Sequence, residues 1–119
     1  MKIISKHLFI LLFAILITSC ANDFVVKEGD NSFKVRLTNI SEPLSTAKNL
    51  VIYKSAKTTL ENNFKYFVIS EEHFFGLDSD SKDKTVNSYE IKISCFSHKP
   101  NDNSVIDASE YLKSHPKLD

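Results

Sequence analysis

The sequence predicts an α+β fold, specifically an α/β two-layer sandwich. A three- to four-stranded sheet carries one main helix and a short C-terminal helix, in the order (β)β-α-β-β-α. Three observations predict it. Residues 33–38 and 89–95 alternate apolar with polar side chains at a period of two, the mark of half-buried strands. Residues 43–62 carry apolar side chains at helical spacing. Residues 64–70, Phe-Lys-Tyr-Phe-Val-Ile-Ser, are rich in aromatic and β-branched types that suit a pleated, buried surface.

Taken in order, Phe24, Val25 and Val26 form a short apolar run followed by Glu28, Gly29, Asp30 and Asn31. That is turn chemistry, with Gly29 suited to positive φ. The run is either part of a short tether or a first hairpin strand paired with residues 33–38. There Phe33, Val35 and Leu37 face in, and Lys34, Arg36 and Thr38 face out. The helix is expected from about 43 to 62. Pro43 suits its first turn, and Ser41, Ser45 and Thr46 are candidate caps. Its buried stripe is read as Ile52, Tyr53, Ala56 and Leu60, prolonged by Asn49 and Asn63, with Lys48, Lys54, Lys57 and Glu61 mainly outside it. Asn62 and Asn63 end it, because asparagine is second only to glycine in the left-handed position after a helix.

After the strand at 64–70, residues 71–87 are polar and charged and read as a loop, with Asp78 to Lys84 at its tip. A strand follows over 88–96, then a turn over 100–104. Ser104 or Asp107 starts a last helix reaching Leu112, and residues 115–119 read as a frayed tail. The connection between the strands flanking the main helix is long enough to lay that helix across the sheet.

The N-terminus is of another kind. Lys2 and Lys6 precede an apolar run over residues 8–17, and Thr18, Ser19 and Cys20 follow. A positive segment, a short apolar segment and small residues before a cut describe an export signal rather than a folded element. Ten apolar residues fall short of the roughly 20 that span a bilayer, so an uncleaved membrane anchor is the weaker reading. A cut after Ala21, releasing a soluble chain, is a second rival. The pattern resembles a bacterial lipoprotein signal peptide, cleaved between Ser19 and Cys20. That resemblance implies a diacylglyceryl thioether on the Cys20 sulfur and an acyl chain on its new amino group. Two or more chains hold a protein stably on a membrane, where one holds it marginally. Ala21 after the cysteine, rather than aspartate, points by the same resemblance to the periplasmic leaflet of the outer membrane ahead of the inner membrane. The organisation expected is a signal over 1–19, a lipidated cysteine and tether or first strand over 20–32, and one domain over 33–114.

Size and charge narrow the function classes. Removing residues 1–19 leaves about 100 residues, enough for one core without staples. The full chain carries 15 basic and 15 acidic side chains, and the signal holds two lysines and no acid. The remainder has no basic field to attract nucleic acid. Of the two cysteines, the resemblance gives Cys20 to lipid, which leaves Cys95. Its alternation with Tyr89, Ile91 and Ile93 makes it a small core side chain rather than a reactive thiol.

Tyr53, Ala56, Thr59, Phe64, Tyr66 and Phe67 carry a further likeness. They match a helix of the form Tyr-Arg-Ala-Ala-Glu-x-Thr followed by a Tyr-Phe strand. Lys99-Pro100 and Asp107-Ala108 match a later Lys-Pro and Asp-Ala segment before the last helix. In these residues the chain resembles a family of small, uncharacterised bacterial outer-membrane lipoproteins. Lys54, Ser55, Lys57 and Asn63 stand where that pattern has Arg, Ala, Glu and Gly. The likeness is one of packing and capping, and implies no catalytic residue, cofactor or metal.

Other motifs weigh toward the plain reading. Asp78, Asp80 and Asp83 invite calcium, but an EF-type loop from Asp78 needs glycine at 83 and glutamate at 89. His73 beside Glu71 and Glu72 has no second histidine at ligand spacing. Cys95 and His98, read along one strand, fall on opposite faces. No Gly-x-Ser-x-Gly elbow occurs, and Gly29 and Gly76 do not make a phosphate loop. Phe74, Phe75, Gly76 and Leu77 form an apolar cluster, either a lid on a sheet edge or an exposed patch. The function expected is a membrane-anchored, non-enzymatic envelope interaction or structural module, with an envelope protein as partner. The alternative is a module binding a lipid or cell-wall fragment on a Phe/Tyr-rich sheet; a hydrolase ranks third.

Overall fold

The computed structural model describes residues 23–76 and 85–116. The elements run β1 (Asp23–Lys27), β2 (Ser32–Leu37), β3 (Glu42–Pro43), α1 (Leu44–Glu61), β4 (Tyr66–Phe75), β5 (Thr85–Val86), β6 (Ser88–Phe96), β7 (Ile106–Asp107) and α2 (Ala108–Ser114). The main sheet has the order β1-β2-β6-β4-β7, and β3 pairs with β5 in a two-stranded patch. The α+β architecture expected from the sequence is the one observed. The sheet exceeds the expected three to four strands because the two-residue β7 adds to the β4 edge. β2 and β4 are both antiparallel to β6 and flank it. They therefore run parallel to one another, and α1 crosses over β6 between them, a split β-α-β unit.

Alternation builds the core. Phe33, Val35 and Leu37 of β2 and Tyr89, Ile91, Ile93 and Cys95 of β6 are all buried on the helix side. They meet Phe67 of β4, Ala47, Val51, Ile52 and Ala56 of α1, and Ala108 of α2. The other sheet face bears charged partners in register. Phe24, Arg36, Glu90 and His73 fall in one row, and Val26, Lys34 and Lys92 begin the next.

The helix differs from its predicted stripe in an instructive way. Ile52, Tyr53 and Ala56 are buried, but Leu60 is exposed, and Ser55, Thr58 and Thr59 are buried instead. Each hydroxyl donates to the carbonyl four residues earlier: Ser55 to Val51 at 2.8 Å, Thr58 to Lys54 at 2.9 Å and Thr59 to Ser55 at 2.8 Å. A hydroxyl satisfied by its own helix is buried without an orphaned polar group, so a polar row faces the core. None of Ser41, Ser45 or Thr46 caps the helix. Pro43 holds the N-cap position with no side-chain bond, and its backbone is committed to β3. The C-terminus follows expectation. Asn63 sits at φ 68°, its N–H donates to Leu60 at 3.1 Å, and the Phe64 N–H donates to Thr59 at 2.9 Å, a Schellman closure.

Two other expectations change, and one choice left open by the sequence is settled. The strand expected over 64–70 extends to Phe75, so residues 71–75 are not loop. The reason is a bulge: Ile69 pairs with Ile93 and Glu71 with Lys92, leaving Ser70 extra. One added residue flips the side-chain parity, so Glu72 and Phe74 fall on the helix side and the alternation is broken in the sequence. The final helix starts on Asp107, whose carboxylate accepts the Glu110 N–H at 3.1 Å, and not on Ser104. His115 is fixed rather than frayed: its ring stacks on Tyr111 at 4.0 Å and its Nδ1 lies 2.9 Å from the Tyr111 carbonyl. The loop tip at 78–84 and the end of the tail at 117–119 lie outside the described residues.

The two glycines separate. Gly76 sits at φ +87°, and an added Cβ would lie 2.5 Å from Asn87 Nδ2 and 2.8 Å from its Cβ. Gly29, expected at positive φ, is not there, and an added Cβ would meet Ser32 at an ordinary 3.5 Å. Chemical denaturation is therefore expected to show Gly29→Ala stabilised by about 0.4–1 kcal/mol through a less flexible unfolded chain. Gly76→Ala is expected to lose about 1–3 kcal/mol through backbone strain. Equal midpoints for the two variants would contradict this.

Candidate functional site

The proposed acceptor Cys20 lies outside the described residues, and Asp23, three positions on, opens β1. This start of the domain is tied down. The Asp23 carboxylate pairs with Lys54 of α1 at 2.9 Å, and β1 is hydrogen-bonded along its length to β2. The apolar run is thus the hairpin strand of the two alternatives the sequence left open. It is an edge strand with unusual exposure: Phe24 39%, Val25 37% and Val26 44%. The Arg36 guanidinium lies 5.7 Å from the centre of the Phe24 ring and 3.8 Å from Glu90.

A polar cluster that sequence reasoning missed sits on the helix side. Glu72 pairs with Lys48 of α1 at 3.9 Å and accepts a hydrogen bond from Tyr89. Burial, and then Glu72 through that bond and its charge, push the Tyr89 hydroxyl far above its ordinary value. Tyr89 therefore keeps its proton at neutral pH and acts as a donor. Only the bulge at Ser70 brings Glu72 to this face, and the doubled Glu71-Glu72 was its one trace in the sequence.

On the opposite face Lys92 lies 3.6 Å from Glu28 and 3.9 Å from Glu71, and Glu71 lies 3.9 Å from His73. Glu28, Ser70, Glu71 and Lys92 help line a cavity of about 350 Å³ there. The charges compensate one another and are part-exposed, so each pair contributes little. Of the two glutamates beside it in the chain, His73 lies near Glu71. Among the described residues no group of three or more His, Cys, Asp or Glu side chains is placed to hold a metal. Asp78, Asp80 and Asp83 lie outside those residues.

Cys95 is 1% exposed and its Sγ lies 3.4 Å from Thr59 Oγ1. Burial pushes the thiol up, and the Thr59 contact offsets part of that. A protonated, sealed thiol is no nucleophile. His98 lies beyond the end of β6 and is exposed, so the structure does not join it to Cys95. The cluster around Phe74 divides by strand alternation rather than forming a lid. Phe74 stacks on Tyr89 at 5.5 Å, whereas Phe75 is 60% exposed, and Leu77 lies outside the described residues.

Near α2 a cavity of about 570 Å³ is lined by Tyr66, Lys99, Asp102, Asp107 and Glu110 among others. Its acids are turned to local work. Asp102 accepts from the Ser104 N–H at 2.8 Å and hydroxyl at 2.6 Å, and these bonds hold its carboxyl below the usual range. Asp107 caps α2. Among the described residues no helix is long and apolar enough to cross a membrane. Comparison of the chain with protein families, curated proteins and solved structures finds no match.

Proposed function

We propose that this chain is a lipid-anchored protein of the bacterial cell envelope, held on the membrane through Cys20 and working by non-enzymatic interaction or as a structural module. The observation that carries the proposal is the short apolar run at 8–17, led by Lys2 and Lys6 and closed by Ser19-Cys20. Two features of the fold are consistent with it. The folded domain starts at once, with β1 opening three residues after the acceptor. The buried Ser55 and Thr59 hydroxyls and the Cys95 thiol are bonded to their own helix or to one another. The periplasmic leaflet of the outer membrane is the proposed address, on the Ala21 that follows the cysteine.

The deciding experiment is membrane fractionation of the native chain and of Cys20→Ala, with intact-mass analysis of the former. The native chain is expected in the membrane fraction, starting at residue 20 and carrying the mass of two or more acyl chains. Cys20→Ala is expected to leave the membrane almost entirely, because binding through even one acyl chain is only marginal. A native polypeptide with a bare Cys20 thiol would overturn the proposal.

A further inference from the structure

We propose that the β1 edge is a membrane-contact element: Phe24, Val25 and Val26 seat at the boundary between lipid headgroups and acyl chains, so that the sheet stands edge-on to the bilayer. The proposal rests on the lipid-anchored reading of Cys20 and goes beyond it by fixing which surface meets the membrane.

Chain length makes the first argument. Three residue steps separate Cys20 from Asp23, and an extended chain spans at most about 3.3–3.6 Å per residue. The lipid attachment point is therefore within about 11 Å of β1 whatever path residues 21 and 22 take. Rigidity makes the second. Asp23 is held to Lys54 at 2.9 Å and β1 is paired with β2 throughout, so this edge cannot swing away from the attachment point without breaking the fold.

Side-chain chemistry makes the third. Three consecutive apolar residues, each more than a third exposed, form a contiguous surface on a strand that is the edge of the sheet among the described residues. Natural edges ordinarily carry charge, proline or a cover at such a place. Both faces of the strand contribute, Phe24 and Val26 on the side of Arg36 and Lys34, and Val25 on the other. A strand apolar on both sides suits an edge that dips into a non-aqueous layer. Depth is limited by the outer backbone of β1, which pairs with no further strand among the described residues and cannot enter hydrocarbon unsatisfied. Only the side chains insert, with the strand at headgroup level. The Arg36 guanidinium, 5.7 Å from the centre of the Phe24 ring, lies close enough to this edge to meet lipid phosphates.

The alternative of lying flat on the outer sheet face is opposed by charge. That face carries Arg36–Glu90 and Lys92 between Glu28 and Glu71, and stripping water from such pairs costs more than their attraction returns. The β1–β2 edge has acids and bases in balance, Asp23, Glu28 and Asp30 against Lys27, Lys34 and Arg36. Seating is therefore driven by apolar contact and is expected on zwitterionic lipid, with little response to salt.

The chain contains no tryptophan, so one introduced indole reports alone. The experiment uses the lipidated protein purified from membranes and placed on phosphatidylcholine vesicles, as the Phe24→Trp and, separately, the Phe75→Trp variant. Both sites are exposed, and three strand spacings, about 14 Å, separate β1 from β4. The Phe24→Trp protein is expected to float with the vesicles, emit at shorter wavelength than in detergent-free buffer, and lose emission to lipids brominated on their acyl chains. The Phe75→Trp protein is expected to float without either change. Flotation with no quenching of Phe24→Trp leaves the anchoring reading standing and overturns edge seating. Equal quenching of both variants overturns it in favour of the flat face. A blue shift without vesicles that grows with protein concentration assigns the strand to a second copy and overturns it too. Failure to float, with a free Cys20 thiol, overturns both readings.

Discussion

Ala56→Glu is expected to abolish the cooperative unfolding transition of this domain, leaving a chain that is largely unfolded at neutral pH. Ala56 is 0% exposed and sits two-thirds of the way along α1, against the sheet. It belongs to the same buried cluster as Val51, Ile52 and the inward rows of β2 and β6. A glutamate there adds a carboxylate and two methylenes to a filled layer, and overpacking alone costs about 1–3 kcal/mol. The carboxylate then either stays ionised without a partner, which costs several kcal/mol, or takes up a proton and remains an unsatisfied buried polar group. A domain of this size is stable by about 5–15 kcal/mol in total, so the sum is comparable with the whole. Leu60→Glu, on the same helix but 37% exposed, is the control. It is expected to change stability by less than about 1 kcal/mol, an exposed acid near a helix C-terminus being only mildly unfavourable. Urea unfolding followed by circular dichroism measures both. A cooperative transition for Ala56→Glu near the native midpoint would refute the packing described for α1.

That pair of residues also shows where the sequence was legible and where it was not. Ala56 and Leu60 lie four apart, and on hydropathy alone they belong to one stripe. The helix instead rotates its Ser55 and Thr59 toward the sheet, because each hydroxyl finds its acceptor one turn back. Nothing in a hydropathy pattern announces that, since the polarity is cancelled locally. β2 and β6 were readable to within a residue because strict alternation is a one-body signal: each side chain's type follows from its own face. β4 was readable only as far as the bulge at Ser70, beyond which parity reverses and Glu72 faces α1. Its environment, Lys48 and Tyr89, is assembled from three elements, and pairing of that kind is not written in any one segment. The split β-α-β order was hidden for the same reason, as the insertion of β6 between β2 and β4 is a statement about partners. In the candidate site, the cysteine and the apolar run before it were visible at once. The pinning of β1 through Asp23 and Lys54 and its place at the sheet edge were not, because 31 positions separate that ion pair in sequence.

Alkaline pH is expected to weaken the fold from about pH 9 upward, and the sign follows from acids that burial raises, Cys95 and Tyr89 foremost, with Tyr111 shifted the same way. Burial raises Cys95 above its model-compound value of 9.0, and burial with Glu72 raises Tyr89 above 10.0. Below about pH 9 both groups are protonated in folded and unfolded chains alike, so pH has no purchase through them. Between the unfolded and the folded values, the unfolded chain has released protons that the folded chain still holds. The folded state then binds more protons, and stability falls as pH rises. Cys95 opens this window near 9 and Tyr89 joins it near 10. Each group steepens the fall in stability only within its own window, by on the order of 1 kcal/mol per pH unit. Tyr89→Phe separates the two groups. It keeps the ring against Phe74 and removes the titrating hydroxyl, at the expense of leaving Glu72 to Lys48 and solvent. Urea midpoints measured from pH 8 to 11 are expected to fall more steeply for the native chain than for Tyr89→Phe above pH 10, and alike between 9 and 10. Indistinguishable slopes above pH 10 would show that the Tyr89 proton is not held by the fold, and with it the Glu72 contact that the bulge at Ser70 creates would be lost.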